Sequence, residues 1–209
     1  MTRFDCMVGS SAGMRMAVSQ ALDHCGQRQA FGRLLTEQPL MQNVLADLAL
    51  EAEAAIALSM RIARALDNRQ DEHENALVRL GTALGKYWIC KRTPNHAYEA
   101  MECIGGSGVM EDSMMPRLYR DAPVNAIWEG SSNVQCLDVL RALSKTPNVV
   151  AAFGAEVSKA QGAHPALDRL NADLVQDLND LQDFEYRARD VVDRMALGDA
   201  ARRRDRLRA

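Results

Sequence analysis

The carboxylate of Glu129 stands in a setting suited to proton abstraction. It lies between the large aromatic Trp128 and Gly130, just before the start of a predicted helix. An apolar wall makes a carboxylate a better base by removing water from it, and glycine leaves room for a substrate. A glutamate at a helix N-terminus is also common, because it interacts favourably with the helix dipole. The spacing alone favours this structural role over the catalytic one.

Two other segments could contact an anionic ligand. Glycines at 105, 106 and 108 follow the end of a predicted helix, where bare backbone can approach a phosphate or another chain. A helix C-cap is the commoner explanation for such glycines, and no strand precedes them, so a dinucleotide fold is not indicated. Arg28 precedes an aromatic-glycine turn, where its guanidinium could grip a phosphate or cap helix carbonyls. The residues alone leave both choices open.

The chain that carries these residues has a composition typical of a folded, non-membrane protein. Its 209 residues are 47% apolar and carry a net charge of −3. No apolar run approaches the roughly 20 residues needed to cross a bilayer, and no secretory signal is apparent, so we expect a cytoplasmic location. Five cysteines without a C-x-x-C pair disfavour a disulfide framework and structural zinc, and the four histidines are scattered. We expect buried cysteines and no metal site.

The spacing of apolar residues predicts an all-α fold. Long helices are expected over 3–27, from Pro39 to about 67, and from about 77 to 104, with a polar loop over 68–75. A short helix is expected over 113–119 and another after Gly130 and Ser131. Pro94 should kink the third helix, whereas Gly81 and Gly85 predict close approach of a neighbouring helix. Together these elements suffice for an up-and-down four-helix bundle over residues 1–145.

Residues 146–209 are predicted to form an additional C-terminal helical segment. Five residues recur at strict seven-residue spacing: Leu167, Leu174, Leu181, Ala188 and Met195. This spacing predicts one further amphipathic helix, and Asp177 interrupts its companion row, so we expect packing on the bundle rather than a free coiled coil. Residues 202–208 contain five arginines and one aspartate, which gives an acidic chain a basic end.

Three ordered motifs resemble the C-terminal helical domain of acyl-CoA dehydrogenases over roughly residues 3–144. They are Arg28-x-x-Phe31-Gly32, Gly105-Gly106-x-Gly108 and Trp128-Glu129-Gly130-Ser131. The strings at 116–120 and 128–141 are most similar to the AidB-like, alkylation-response branch of this family. So many ordered matches do not recur by chance.

The resemblance implies α,β-dehydrogenation of an acyl-CoA thioester by a FAD-dependent enzyme, with Glu129 as the base that removes the α-proton. Gly130 beside it admits the acyl chain, and Arg3 is implied in substrate binding. Some members carry the base immediately before the arginine that matches Arg3, but Thr2 stands there. Glu102 replaces the usual glutamine before the glycine pair. The residues that the resemblance assigns to FAD are Arg28, Phe31, Gln38, Gly105, Gly106, Ser131 and Asn133.

The resemblance also implies partners: an acyl-CoA substrate, an electron acceptor of the electron-transfer flavoprotein type, and further copies of the chain in a homo-oligomer, with the glycine pair reaching flavin across the interface. Family members have N-terminal helical and middle β domains that this sequence lacks, so we expect the chain to be inactive alone. Two alternatives stay open. One is an AidB-like domain that binds DNA, for which the basic end is a candidate contact. The other is a helical interaction module without catalysis.

Overall fold

The computed structural model describes residues 1–179 and 182–204, with side chains up to residue 198. The helices of the first part are α1 (Thr2–Gln27), α2 (Pro39–Asp67), α3 (Glu72–Ile104), α4 (Gly106–Val109), α5 (Met115–Asp121) and α6 (Ser132–Lys145). They are followed by α7 (Val149–Ser158), α8 (Pro165–Asn179) and α9 (Phe184–Arg204). Strands β1 (Gln29–Ala30) and β2 (Arg33–Leu34) form a small antiparallel hairpin between α1 and α2. The predicted all-α class is confirmed.

Helix α3 is the centre of a four-helix bundle and packs against α1, α2 and α6. The core between them is aliphatic and sulfur-rich, with Met7, Met14, Leu58 and Ile89 among the buried side chains. All five cysteines are buried and free, as predicted. The four-helix bundle expected from the apolar periodicity is therefore confirmed.

The close helix contact predicted at Gly81 and Gly85 is also confirmed. A Cβ atom at Gly81 would overlap Ile62 Cδ1 of α2, and one at Gly85 would overlap Met7 Cε of α1. The bare surface of α3 therefore accommodates a side chain from each neighbouring helix.

The predicted loop over residues 68–75 is wrong in its second half, because α3 begins at Glu72. Asp71 is the N-cap residue, and its carboxylate accepts a hydrogen bond of 3.0 Å from the Glu74 amide. Such a cap satisfies one of the free amides in the first turn and stabilises a helix start. The polarity of Glu72 and Glu74 reflects this first turn rather than a loop.

The C-terminal segment differs from its prediction in helix number. Helix α7 was not predicted, and the single expected helix is two helices, α8 and α9, which pack against each other. The chain turns at Asp183, whose φ of 51° is left-handed. Seven-residue spacing continues in phase through this turn, since Leu167, Leu174, Ala188 and Met195 are all buried; Leu181 lies outside the described residues. Spacing therefore predicted the buried faces but not the break.

The expectation that this segment packs on the bundle is confirmed by contacts of α9 with α2, α3 and α6 and of α7 with α3. A boundary between two domains at residues 145 and 146 stays a prediction. The basic end was predicted over residues 202–208. Residues 205–208 lie outside the described residues, and the side chains of Arg202 to Arg204 are not described.

A buried ionic cluster joins the C-terminal segment to the bundle. Arg61 of α2, 4% exposed, donates to Glu74 of α3 at 2.7 and 3.1 Å and to Glu156 of α7 at 2.8 and 3.1 Å. Lys159 also donates to Glu156 at 2.9 Å. A buried charge is tolerated only when its partners are in place, so these two carboxylates are needed to keep Arg61 in the interior.

We expect the substitution Glu156→Gln to lower the free energy of unfolding by about 2 kcal/mol, since hydrogen bonds to charged groups contribute roughly 1.5–3 kcal/mol. Glutamine keeps the shape of the side chain but removes the charge that faces Arg61. Urea unfolding followed by circular dichroism measures the change, with the exposed Glu53→Gln on α2 as the matched control. Equal unfolding midpoints for the two variants would contradict a stabilising role for the cluster.

His96 of α3 predicts a pH dependence of stability. Its Nε2 lies 3.0 Å from the Leu48 carbonyl, and burial lowers the pKa of the imidazolium below its ordinary 6.5 despite that hydrogen bond. Below about pH 6.5 the unfolded chain binds a proton that the folded chain does not, so stability falls as the pH falls. We expect His96→Gln, which can still donate to Leu48, to flatten the dependence of the urea midpoint between about pH 7.5 and 5.5. An unchanged slope would show that His96 is not responsible.

Candidate functional site

Glu129 lies in a turn of unusual backbone conformation that leads into α6. Its φ is 55° and that of Gly130 is 98°. The left-handed region costs a residue with a side chain about 1–2 kcal/mol. A Cβ on Gly130 would lie 2.6 Å from Gln135 Nε2, so only glycine fits there. The surrounding structure must therefore hold this turn in place.

Lys86 of α3 supplies much of that support. The side chain is 1% exposed, and its Nζ donates to the carbonyls of Asn125, Trp128 and Gly130 at 3.0, 2.9 and 2.8 Å. Three acceptors match the three hydrogens of an ammonium group. Burial lowers the pKa of Lys86. This residue was not predicted, although a lysine between Gly85 and Tyr87 on an inward-facing stripe is a signal that could have identified it.

Gln135 and Arg3 complete the support of the turn. The buried amide of Gln135 donates to the carbonyls of Glu129 at 3.3 Å and Gly130 at 2.9 Å. Arg3 Nε donates to the Glu129 carbonyl at 3.1 Å. Three side chains from α1, α3 and α6 thus fix a strained backbone, an arrangement that is concentrated at functional sites.

The carboxylate carried by this turn is exposed and accepts one hydrogen bond from the described residues. Thr2 Oγ1 donates to Glu129 Oε2 at 2.8 Å. Trp128 is 55% exposed, and its indole nitrogen donates to Asn125 Oδ1 at 3.1 Å. The aromatic wall expected from the sequence therefore does not enclose Glu129 within this chain.

Arg3 is also part of a charged cluster around Asp138 of α6. Its Nη1 donates to Asp138 Oδ2 at 2.6 Å, and Arg79 of α3 donates to both carboxylate oxygens at 2.9 and 3.0 Å. Burial opposes ionisation of Asp138, but the hydrogen bonds and charges of Arg79 and Arg3 lower its pKa overall. Neither Asp138 nor Arg79 was predicted to act at the site. The cluster fixes the side chain of Arg3 beside the Glu129 carbonyl.

Ser131 and Asn133 are exposed at the start of α6, next to Glu129. Asn133 Oδ1 accepts a hydrogen bond of 2.8 Å from Arg189 Nε of α9. The C-terminal segment therefore reaches a residue that the sequence assigned to cofactor binding, a contact that the sequence did not predict.

The other predicted ligand residues lie around the far end of α1. Arg28 follows the last residue of α1, and Phe31 is 98% exposed at the tip of the hairpin with a φ of 53°. Gln38 donates to the Ala30 carbonyl at 3.2 Å and so supports the hairpin. The exposed Gly105, with a φ of 73°, and Gly106 follow the end of α3.

Contact between α1 and α3 brings these residues to one end of the bundle. Cys25 Sγ lies 3.7 Å from the Cys103 carbonyl, close to both Arg28 and the glycine pair along the chain. Arg3 and Arg28 are about 37 Å apart along α1, at about 1.5 Å per residue. The structure therefore assembles the predicted residues into a glutamate end around Glu129 and a hairpin end around Arg28. These two ends remain apart within one chain.

In residues 1–179 and 182–204, no helix has the length and apolar character needed to cross a membrane. Over the same residues, no group of three or more His, Cys, Asp or Glu side chains is arranged to hold a metal ion.

Similarity to known proteins is consistent along most of the chain. Residues 1–144 match the family model of the acyl-CoA dehydrogenase C-terminal domain. A putative acyl-CoA dehydrogenase AidB of Escherichia coli K12 is 48% identical over 85% of this chain and 33% of its own length. Acyl-CoA dehydrogenase family member 11 of Caenorhabditis elegans is 36% identical over 77% of this chain and 27% of its own length. The chain thus spans about a third of the length of these curated relatives.

Solved structures agree with the sequence relatives. C. elegans ACDH-11, in complex with C11-CoA, superposes with a TM-score of 0.89 at 29% identity, covering 96% of this chain and 38% of that one. An acyl-CoA dehydrogenase from Geobacillus kaustophilus gives a TM-score of 0.57 at 28% identity. This match covers 68% of this chain and 36% of that one. With its helical bundle, its supported glutamate turn and this match over residues 1–144, the chain belongs to the acyl-CoA dehydrogenase family.

Proposed function

We propose that this chain supplies the base-bearing C-terminal domain of a FAD-dependent acyl-CoA dehydrogenase, in which Glu129 removes the α-proton of the substrate. The observation that carries the proposal is the turn itself. An exposed carboxylate is presented on a left-handed backbone that Lys86, Gln135 and Arg3 hold by its carbonyl groups. A structural capping glutamate does not require this support.

In the proposed proton transfer, the residues of the turn and Thr2 of α1 have different roles. Glu129 accepts the α-proton, while Thr2 orients the carboxylate through its hydrogen bond to Oε2. Gly130 presents bare backbone beside the base, and the resemblance to the family assigns this position to the acyl chain. FAD, when bound, accepts the β-hydrogen as hydride. Holding the base in place before the substrate arrives lowers the entropic cost of the reaction.

The exposed residues at both ends of α1 fit a flavin dinucleotide shared between two copies of the chain. Ser131 lies beside the base, whereas Arg28 and the bare amides near Gly105 could bind phosphate groups at the hairpin end. A phenylalanine as exposed as Phe31 is typical of an interface. Since the two ends are about 37 Å apart along α1, we propose that they belong to two different sites in a homo-oligomer.

The solved complex of ACDH-11 with C11-CoA supports an acyl-CoA as the substrate class. We further propose an electron acceptor of the electron-transfer flavoprotein type, as the resemblance to the family implies. DNA binding stays a prediction. Two arginines outside the basic end have acidic partners: Arg120 forms a pair with Glu111, and Arg141 lies 3.5 Å from Asp138.

The proposal is tested by comparing this chain with a protein that also contains the other regions of its relatives. We expect the longer protein to bind FAD and to lose its oxidised flavin absorbance when an acyl-CoA is added without oxygen. The chain of 209 residues is expected to be colourless and inactive. Stoichiometric FAD on the short chain would contradict the need for other regions. Flavin that no short-, medium- or long-chain acyl-CoA reduces would contradict the proposed activity.

A further inference from the structure

Helix α9 of the C-terminal segment brings an arginine to the start of α6. Arg189 Nε donates to Asn133 Oδ1 at 2.8 Å. Ala188, just before this arginine, and Val192, one turn after it, are buried, so α9 is packed against the bundle at this point. Arg189 lies outside residues 1–144, the part of the chain that matches the family model. The C-terminal segment therefore contacts a residue only four positions after Glu129.

The hydrogen bond from Arg189 determines the orientation of the Asn133 amide. An arginine side chain has donors and no acceptor, so the amide must present its oxygen to α9. The amide nitrogen, Nδ2, then lies on the other arm of the planar group. Among the described residues, none accepts a hydrogen bond from Nδ2. Because Asn133 is exposed, its two amide hydrogens are available to a ligand.

Arg189 also brings positive charge to the start of α6. Among the described side chains, no carboxylate lies within 4.0 Å of its guanidinium. Burial raises the pKa of the Cys136 thiol, one turn after Asn133, to about 11, and the charge of Arg189 opposes this rise. The first turn of α6 adds the partial positive charge of a helix N-terminus. The surroundings of Asn133 therefore suit a partner that is electron-rich and accepts hydrogen bonds.

The place of Asn133 next to Glu129 indicates which partner this is. In the proposed reaction the flavin ring takes a hydride from the substrate, so it must touch the same molecule that Glu129 deprotonates. Asn133 lies in the first turn of α6, the helix that begins directly after the turn of Glu129. The carbonyl oxygens and unprotonated nitrogens of a flavin ring accept hydrogen bonds, which matches the donors of the Asn133 amide.

We propose that Arg189 is a positioning residue of the flavin site, which holds Asn133 as a hydrogen-bond donor to the flavin. The inference rests on the proposed function, because it takes FAD as the cofactor that binds beside Glu129. It extends that function by giving the C-terminal segment a part in the cofactor site. An unrestrained side chain loses rotational freedom when a ligand orders it, whereas Arg189 orders the Asn133 amide before FAD arrives.

The affinity for FAD tests the role of Arg189 in the longer protein, which also contains the other regions of the relatives. Titration calorimetry of the apoprotein measures the dissociation constant. Arg189→Met keeps the length of the side chain but removes its donors and charge, and we expect FAD to bind about fivefold more weakly. Arg189→Lys, which can still donate to Asn133, should restore most of the affinity. The matched control is Arg169→Met, at an exposed arginine of α8, which should bind FAD as the wild type does.

Substitutions of Asn133 test the direction of its hydrogen bond. Asn133→Asp keeps an acceptor for Arg189 but has no donor, so we expect FAD to bind about tenfold more weakly. Wild-type affinity in this variant would overturn the donor role. If Arg189 acts through Asn133, Arg189→Met should cause no further loss in an Asn133→Ala background. Losses that add in the double variant would overturn the positioning role, because a purely structural effect of Arg189 does not depend on Asn133.

Two further results separate this inference from the proposed function. Urea unfolding of the 209-residue chain should give the same midpoint for Arg189→Met and Arg169→Met, since both arginines are exposed. A longer protein of wild-type sequence that binds no FAD would contradict the proposed function itself. A wild type that binds FAD, together with an Arg189→Met variant that binds it equally well, would overturn only the role of Arg189.

Discussion

In the longer protein of the proposed function, with the other regions of the relatives present, replacing Glu129 by glutamine is expected to slow the reduction of flavin by acyl-CoA by roughly a thousandfold, within the range typical of general-base catalysis. Glutamine keeps the volume of the side chain and an oxygen that can accept from Thr2, but it cannot take up the α-proton. Anaerobic stopped-flow absorbance measures the rate. Because only the transition state requires proton transfer, the dissociation constant of the acyl-CoA should change little.

The matched control for this variant is Glu53→Gln, an exposed glutamate of α2. It makes the same chemical change away from the turn and should reduce flavin at the wild-type rate. A Glu129→Gln protein that stays within tenfold of this control would assign proton removal to another group. If acyl-CoA binding were lost as well, the substitution would have disturbed the pocket rather than the base.

The substitution Lys86→Met is expected to lower the free energy of unfolding by about 3 kcal/mol or more, since each buried acceptor left without its partner costs about 1–3 kcal/mol. Methionine replaces the stem of the lysine but leaves the carbonyls of Asn125, Trp128 and Gly130 without their shared donor. Urea unfolding measures the global effect. Hydrogen exchange of amides 125–130 should accelerate first, because the turn carries the strain.

Lys91→Met provides the control for this experiment, because Lys91 is exposed on the same helix. Its unfolding midpoint and the exchange rates of the turn should match those of the wild type. If Lys86→Met were as stable as Lys91→Met, the three hydrogen bonds would contribute no net support. In the longer protein of the proposed function, we expect Lys86→Met to reduce turnover through the position of Glu129 even at temperatures where the protein is folded.

The long helices were predictable because each has its own local signals. Pro39 suits the first turn of α2, and apolar residues recur every three or four positions along it. The start of α3 was misplaced because Asp71 and Glu72 are polar whether they form a loop or a capped first turn. The break before α9 was missed because the turn at Asp183 preserves the phase of the buried residues.

The candidate site could be predicted only where a sequence motif points to it. Glu129 and Gly130 were candidates because of their neighbours in sequence, and their roles stay predictions. Lys86 was not, because its role depends on α3 lying against a turn some forty residues later in the chain, as the separation of 44 residues from Gly130 shows. The contacts of Asp138 with Arg3 and Arg79 likewise depend on packing between helices. Periodicity predicts that a face is buried but not which polar groups meet there.

The Arg61 cluster has a consequence for the order in which the protein is made. Glu74 follows Arg61 by 13 residues, but Glu156 follows it by 95. Ribosomes add about 5–20 residues per second, so Arg61 waits roughly 5–20 s for its second carboxylate. Throughout that interval Glu74 is the nearer of the two acids that bind it. Attachment of α7 is therefore a late event of biosynthesis, and until it occurs Arg61 in the nascent bundle has only one of its two carboxylate partners.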